Sequence, residues 1–328
     1  MNILMTSVSR KVALVNAFKQ ALAEEVGGQV IAIDASPRSA ALYFADKAYI
    51  VPSGLDQDFL EAVKGICEKY DVQLLIPTRD EELPFFAAIR ESFKRIGVTI
   101  MVPEPEVVKT CQDKREFIDF CIKHGFPVPK TYEKAEDVIQ FPVFIKERMG
   151  KGSKWTFRVE NASELDDLLA RLKDPIIQEY IQAPEYTIDL FADFSGQVIS
   201  VVPRERLYIF GGESFIGRTS KKWEIIQEAM QLAQALRLVG HNTIQCFWHK
   251  KQVKFIEVNP RYGGAANLSF AAGAFTPHML VRLVLGKKVE PCVGQFRDGY
   301  YMLRYTEDLF LSEQEIKQIE RFHQDRAL

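Results

Sequence analysis

The sequence predicts α/β and α+β structure in succession: a doubly wound parallel sheet over the first hundred residues, then a two-lobed α+β region. Short apolar runs alternate with helical patterns as far as Pro103, and such alternation is typical of parallel β-α-β units. Pro103 and Pro105 then interrupt the pattern. Beyond Tyr186 most of the apolar runs read as strands. We therefore expect two different architectures, joined near position 103.

Within the first region, five apolar runs predict strands: "NILMT", "VIAID", "AYIVP", "QLLIPT" and "VTIMVP". The segments between them carry apolar residues at helical spacing, as in the stripe from Val12 to Leu22. In "TRDEE", Thr78 and Glu81 fit a capping box at the start of a helix. The regular exchange of strand and helix predicts the parallel sheet.

The second region begins with helices, of which one is predicted over Lys114–His124. "FPVFIK" and "WTFRVE" read as two strands joined by the glycine-bearing segment "ERMGKGSK". A helix near 162–172 and the strand "PIIQEYI" complete a small α+β lobe at about 130–181. The strands "YTIDLFAD", "QVISVVPRE", "TIQCFWH" and "VKFIEVN" then form the larger lobe, at 182–295.

Composition excludes several classes of protein. The chain has 328 residues, of which 47% are hydrophobic, and a net charge of -2, so nothing favours binding to nucleic acid or to a membrane surface. Its five cysteines show no metal-ligand spacing. The first apolar run is too short for a signal peptide or a membrane span. We expect a cytoplasmic protein with reduced thiols.

The segment "FIEVNPRYGG" carries the strongest chemical pattern. Glu257 and Asn259 are two residues apart on a predicted strand, so their side chains share one face. Gln245, on the preceding strand, can lie across from them if the two strands pair. A carboxylate with amide oxygens suits Mg²⁺, which takes few protein ligands and completes its shell with phosphates and water. Arg261 then adds a cation that can bind anionic oxygens in a bidentate manner.

Two further segments suggest a polyphosphate ligand. Lys146 ends a strand and the glycine-bearing turn follows it, an arrangement that can surround phosphates with N–H groups and positive charge; a solvated β-turn is the alternative. Glu179, Tyr180 and Ile181 lie where the small lobe ends, where backbone groups could pair with a purine. Glu185 could accept hydrogen bonds from ribose, although a plain domain connection would look the same.

Two other segments bear on function: the pair Arg204 and Arg206, and the first loop of the chain. Arg204 and Arg206 follow a strand and precede a Gly-Gly turn, where they could hold an anionic substrate or could be surface residues. The first loop, "TSVSRK", contains no glycine. A dinucleotide fold requires glycines at that turn for the close approach of pyrophosphate, so a dehydrogenase is the weakest interpretation.

Taken in order, these segments resemble the ATP-grasp superfamily, and most of all the ATP-grasp half of the carbamoyl-phosphate synthase large subunit and stand-alone ligases similar to it. The resemblance runs to about Gln295. It implies magnesium ligands at Gln245, Glu257 and Asn259, and contact between Arg261 and the transferred phosphoryl group. The nucleotide-binding residues that it implies are Lys114, Lys146, Gly150, Gly152, Ser153, Glu179, Tyr180, Ile181 and Glu185.

The resemblance also implies an activity. We expect a carboxylate–amine or carboxylate–ammonia ligase that uses ATP and Mg²⁺, or Mn²⁺, with Arg204 and Arg261 as its catalytic residues. The implied domains are a pre-ATP-grasp domain at 1–103, an ATP-grasp domain at 104–295 and a C-terminal strand and helix at 296–328. Small carboxylates and amines would be the substrates, and a homodimer or a partner subunit is expected. The alternatives are an ATP-binding subunit of a split synthase and a phosphotransferase.

Overall fold

The computed structural model describes residues 1–149 and 155–322. It contains a five-stranded parallel sheet with the strand order β3-β2-β1-β4-β5. Its strands are β1 Asn2–Thr6, β2 Val30–Asp34, β3 Lys47–Ile50, β4 Val72–Pro77 and β5 Thr99–Ile100. The helices of this region are α1 Val12–Glu25, α2 Gln57–Lys69 and α3 Leu83–Lys94. The predicted doubly wound parallel sheet is confirmed.

A four-stranded antiparallel sheet follows, which we call the lid sheet, with the order β6-β9-β7-β8. Helices α4 Pro105–Gln112 and α5 Lys114–His124 precede it. The strands are β6 Thr131–Tyr132, β7 Val143–Glu147, β8 Thr156–Val159 and β9 Pro175–Glu179, with α6 Ala162–Leu169 between β8 and β9. A small apolar core that includes Val143, Ile145 and Leu165 holds this lobe together.

The third sheet has six antiparallel strands in the order β14-β13-β10-β11-β12-β15. These strands are β10 Glu185–Ala192, β11 Val198–Phe210, β12 Glu213–Thr219, β13 Gly240–His249, β14 Gln252–Asn259 and β15 Tyr301–Leu303. The remaining helices are α7 Trp223–Leu236, α8 Asn267–Ala271, α9 Thr276–Val284 and α10 Glu313–Gln318. The chain after position 295 thus returns to this sheet, because β15 pairs with β12.

Apolar burial joins the first and third sheets. Phe18 of α1 packs edge-on against Tyr262, with 5.5 Å between ring centroids, and Leu280 of α9 belongs to the same buried cluster. The opposite face of the parallel sheet is covered by α2 and α3, through residues such as Phe59 and Phe86. Burial of this kind on both faces explains why these strands read as continuous apolar runs. In the described part of the chain, no helix is both long and apolar enough to cross a membrane.

Local sequence explains the helix that leads into the lid sheet. Asp113 caps α5, because its carboxylate accepts hydrogen bonds from the backbone N–H groups of Arg115 and Glu116 at 3.0 and 3.3 Å. Gly125 ends the helix with a φ of 77°, in the left-handed region that glycine favours. This capped helix begins at Lys114 and so fixes where the lysine side chain leaves the backbone.

Candidate active site

A cavity of about 560 Å³ lies between the lid sheet and the six-stranded sheet, and loops of the parallel sheet close one end. All eleven predicted site residues in the described part of the chain line it: Lys114, Lys146, Glu179, Tyr180, Ile181, Glu185, Arg204, Gln245, Glu257, Asn259 and Arg261. The predictions at Gly150, Gly152 and Ser153 lie outside the described residues.

Side-chain oxygens meet where β13 and β14 pair. Gln245 lies directly opposite Glu257, so both side chains stand on one face of the sheet. Asn259 is on the same face, since its Nδ2 donates to Oε1 of Glu257 over 3.0 Å. That hydrogen bond leaves the amide oxygen of Asn259 free to act as a ligand. One carboxylate and two amide oxygens therefore converge on the cavity.

Two lysines approach this face from the other side. Lys146 is the penultimate residue of β7 and is 4% exposed. Burial lowers its pKa to about 8, while the nearby charge of Glu257 opposes that change. The positive charge of Lys114 lowers it further. The segments that carry the two lysines are joined by a bidentate ion pair, in which Nε and Nη2 of Arg148 each donate to Asp113 over 2.7 Å. An anion between the lysines would offset the cost of burying their charge.

Glu179, which ends β9 of the lid sheet, and Glu185, which begins β10, already have partners. Glu179 accepts hydrogen bonds from the backbone N–H of Lys130, over 2.8 Å, and from the amine of Lys254. Burial would raise the pKa of Glu179, but these donors outweigh burial and lower it. Glu185 is ion-paired with Arg206, yet burial raises its pKa. A ribose hydroxyl at either site would share a carboxylate that is already bound.

Arg204 and Arg206 lie within a strand, contrary to the prediction that they follow one. Strand β11 continues to Phe210, because it pairs with β12 as far as Glu213. Arg204 is 2% exposed, and its Nε and Nη2 donate to the buried carboxylate of Asp189 over 2.7 and 2.9 Å. Its remaining edge borders the cavity. The residue is thus a buried cation held in one orientation, and not a surface arginine.

Arg261 is bound to the loop that follows β4. Its Nε and Nη2 donate to the two carboxylate oxygens of Asp80 over 2.9 and 2.5 Å. The capping box predicted at this loop is wrong, because the hydroxyl of Thr78 donates instead to the carbonyl oxygens of Thr6 and Ser7, each at 2.8 Å. No side-chain cap is formed at the start of α3. The loop is bound to the end of β1.

Sequence patterns missed several residues of this cavity. Lys11, Arg79 and Asp80 line it from the parallel sheet, and Asp189 lies beneath it. The strand order carried the missing information, because β1 and β4 are adjacent in the sheet although 65 residues, from position 7 to position 71, lie between them along the chain. The spacing of apolar residues identifies a strand, but it does not show which strand lies beside it in the sheet.

The donor set fits a hard divalent cation that is shared with phosphates. The described residues contain no group of three or more His, Cys, Asp or Glu side chains that could hold a metal. A site with one carboxylate and amide oxygens is incomplete for Mg²⁺ unless phosphate oxygens and water supply the other positions. Glu257 and the two lysines line one cavity, so a carboxylate suited to the cation lies opposite amines suited to the phosphates.

Two family models match the chain. Residues 3–101 match a model described as PylC-like, N-terminal domain. Residues 171–307 match a model described as ATP-grasp in the biosynthetic pathway with Ter operon. The first match covers the parallel sheet, and the second covers all six strands of the six-stranded sheet, including β13 and β14.

Several curated proteins are similar in sequence to this chain. A D-alanine–D-alanine ligase of Fusobacterium nucleatum is 25% identical over 42% of this chain and 52% of its own length. A carbamoyl phosphate synthase large chain of Campylobacter jejuni is 25% identical over 77% of this chain. The chain spans only 26% of that relative.

Among solved structures, the biotin carboxylase domain of a Hydrogenobacter thermophilus 2-oxoglutarate carboxylase, in complex with MgADP, ADP and bicarbonate, superposes with a TM-score of 0.72. That match has 17% identity, covers 91% of this chain and 73% of the other, and supports the fold alone. Together with the order of motifs, the two matching models and the carbamoyl phosphate synthase relative confirm the predicted resemblance to the ATP-grasp superfamily.

Proposed function

We propose that this chain is a carboxylate–amine ligase that uses ATP and Mg²⁺ and acts through an acyl phosphate, as in the carbamoyl-phosphate synthase large subunit. One observation carries the proposal: Glu257, Asn259 and Gln245 converge on one face of the cavity, and Lys146 approaches the same face from the lid sheet. These groups are suited to hold a metal–polyphosphate between them. The relatives that match the chain include ligases.

The chain's own residues have distinct roles in this proposal. Lys114 and Lys146 bind the phosphates of ATP, and Tyr180 and Ile181 border the purine. Glu257, Asn259 and Gln245 would hold Mg²⁺, and the bound ion would supply positive charge to offset the charge that develops on the transferred phosphoryl group. Arg261 contacts that group, oriented by its two hydrogen bonds to Asp80.

The reaction balances without a nucleophilic side chain. A carboxylate oxygen of the acid substrate forms a bond to the γ-phosphorus of ATP, and the bond from that phosphorus to the ADP oxygen breaks. The nitrogen of an amine or of ammonia then attacks the acyl carbon, and inorganic phosphate leaves with the former carboxylate oxygen. The nitrogen loses a proton to solvent. The lid sheet covers the cavity, and exclusion of water protects the acyl phosphate from hydrolysis.

A release assay tests the proposal. The full chain is incubated with Mg²⁺ and ATP and with pairs drawn from amino acids, small acids and ammonia, and ADP is measured. ADP release that requires both an acid and an amine supports the ligase. A thermal-shift screen with a non-hydrolysable ATP analogue finds the acids beforehand, because a ligand at 100 times its dissociation constant adds about 2.7 kcal/mol of stability.

The other outcomes separate the alternatives. A stable phosphorylated acid in the phosphorus NMR spectrum, with no amide product, would replace the ligase with a phosphotransferase. Nucleotide binding without turnover, together with activity restored by a second chain, would assign the protein to a split synthase. The domain limits at positions 103 and 295, and a homodimer, are part of the same proposal and can be tested by limited proteolysis and light scattering.

A further inference from the structure

The parallel sheet has a topological switch point that opens into the cavity. Strand β1 lies between β2 and β4, so the chain leaves β1 toward one edge of the sheet and returns on the other side at β4. In open α/β sheets, ligands bind in the crevice at the carboxyl ends of the strands that flank such a point. Here Lys11 follows β1 and Arg79 follows β4, and both line the cavity.

The two loops at this point are bound to each other. The buried carboxylate of Glu82 accepts hydrogen bonds from the hydroxyls of Thr6 and Ser7, over 2.8 and 2.6 Å. Thr78 completes the link through its bonds to the carbonyl oxygens of the first loop. Ser7 and Ser9 have φ values of 48° and 47°, in a region that is unfavourable for residues other than glycine. The fold therefore maintains one particular, strained shape of this loop.

Lys11 differs from the arginines near it in having no acidic partner. Each of Arg204, Arg206 and Arg261 is ion-paired with a carboxylate. Within residues 1–149 and 155–322, the hydrogen bond given by the Lys11 amine is to the carbonyl oxygen of Ser7 at 3.4 Å, and no carboxylate lies within 4.0 Å of it. Burial lowers the pKa of Lys11 to about 8, and the positive charges of Arg261 and Arg79 contribute. The more distant carboxylates of Glu82 and Asp34 act in the opposite direction without reversing the change.

An anion is the ligand that this arrangement lacks. A partly buried amine beside other cations is stabilised when a negative group supplies both a hydrogen bond and an opposite charge. From the topology, the bound loops and the unpaired amine, we infer that Lys11 binds an anionic group, a carboxylate or a phosphate, of the acid substrate at the switch point of the parallel sheet. The inference rests on the proposed function. It assigns Lys11 to the substrate and not to the nucleotide, which Lys114 and Lys146 bind in the proposed function.

Covalent labelling of the full chain tests this assignment without requiring turnover. Pyridoxal 5′-phosphate is an aldehyde that carries a phosphate, and it condenses with a lysine amine to form an imine with loss of water. Borohydride reduces the imine, and peptide mapping then identifies each labelled lysine. We expect Lys11 to be labelled. Inorganic phosphate or succinate should reduce labelling of Lys11 several-fold, whereas a non-hydrolysable ATP analogue with Mg²⁺ should not.

Two other lysines serve as internal references. Lys146 should be protected by the ATP analogue, which tests the nucleotide site independently. Lys123 is exposed on α5 and should be protected by none of the compounds. If the ATP analogue fails to protect Lys146 while phosphate or succinate still protects Lys11, the result would count against the proposed function but would support the Lys11 site. The phosphate and succinate arms show which anion the site prefers.

Three results would overturn the inference: no label at Lys11, labelling that neither phosphate nor succinate reduces, or protection of Lys11 by the ATP analogue alone. A kinetic comparison gives a second readout once an acid substrate is found. Lys11→Met should raise the KM for the acid about tenfold or more, the loss expected for one charge-assisted hydrogen bond. The KM for ATP should not change, Lys11→Arg should retain most acid binding, and Lys123→Met should resemble the wild type.

Discussion

Arg261 and Asp80 are 181 positions apart in the chain, yet they form a bidentate ion pair at the edge of the cavity. Asp80 belongs to the turn after β4, and Arg261 follows the end of β14. The pair connects the parallel sheet to the strand that carries the proposed metal ligands. A planar guanidinium bound through two parallel hydrogen bonds has little rotational freedom. The N-terminal region thereby orients the arginine that would meet the transferred phosphoryl group.

Replacement of Asp80 tests that orientation. In Asp80→Asn, Arg261 loses its charged acceptor and part of its alignment, so we expect kcat for ADP release to fall about tenfold. Nucleotide affinity should change little, because the lysines remain in place. Asp308→Asn is the matched control, since Asp308 is exposed in the segment after β15. A fall in nucleotide affinity with unchanged kcat would contradict this role.

Glu257 is the only carboxylate among the three proposed metal ligands, so Glu257→Gln should lower the affinity for the metal more than replacement of either amide ligand. We expect the affinity for Mn²⁺ in the presence of ATP, measured by electron paramagnetic resonance, to fall about tenfold or more. Replacement of a residue that only hydrogen-bonds to a metal ligand already lowers metal affinity by about that factor. ADP release should fall with it. Glu307→Gln changes an exposed glutamate and controls for the loss of one negative charge. Unchanged Mn²⁺ binding would remove Glu257 from the site.

Lys146→Met should separate stability from nucleotide binding. Burial lowers the pKa of Lys146 to about 8, so the fold disfavours its charge, and an apolar side chain of similar length should leave Tm unchanged or raise it. The affinity for ATP should fall about tenfold or more, because a charge-assisted hydrogen bond is lost. Calorimetric titration and a melting curve measure the two effects. A large loss of stability would indicate a structural role instead.

Because Asp189 and Arg204 form a buried ion pair, we expect the stability losses of their single variants to be non-additive in the double variant. Asp189 also accepts a hydrogen bond from Ser269 over 2.5 Å, inside the fold. Removal of one member of a buried pair leaves an uncompensated charge and typically costs about 3–5 kcal/mol. We expect a loss of that size for Asp189→Asn, measured by urea unfolding. The double variant Asp189→Asn, Arg204→Met should be no less stable than Asp189→Asn. Additive losses would contradict a coupled pair.

Glu25 predicts a pH-dependent contribution to stability. Hydrogen bonds from Lys287 and then Arg282 lower the pKa of Glu25 to about 2, below the value of about 4.3 in an unfolded chain. A depressed carboxylate pKa stabilises the fold above the unfolded pKa, and this stabilisation is lost as the pH falls toward the folded pKa. The difference in unfolding free energy between wild type and Glu25→Gln should therefore stay constant above about pH 5 and shrink as the pH falls from about 5 toward about 2. A constant difference would contradict the assignment.

Apolar spacing and the order of motifs were sufficient to predict much of this protein. The helix predicted over Lys114–His124 has those limits in the structure, because a capping aspartate precedes it and a glycine follows it. The pairing of Gln245 with Glu257 was expected from two successive strands that a short turn connects. These features depend on residues close together in the chain, and local chemistry specifies them.

The partners of the charged side chains depended on the tertiary structure. Glu185, predicted to accept hydrogen bonds from ribose, is paired with Arg206. Arg204, predicted either to hold an anionic substrate or to be a surface residue, is buried and bound to Asp189. Lys11 entered the cavity only because β1 and β4 are adjacent in the sheet. Coulomb energy depends on distance in space and on burial, and neither quantity can be read from separation along the chain. Apolar periodicity identified the strands that carry these groups, and tertiary packing determines which charged side chains form ion pairs.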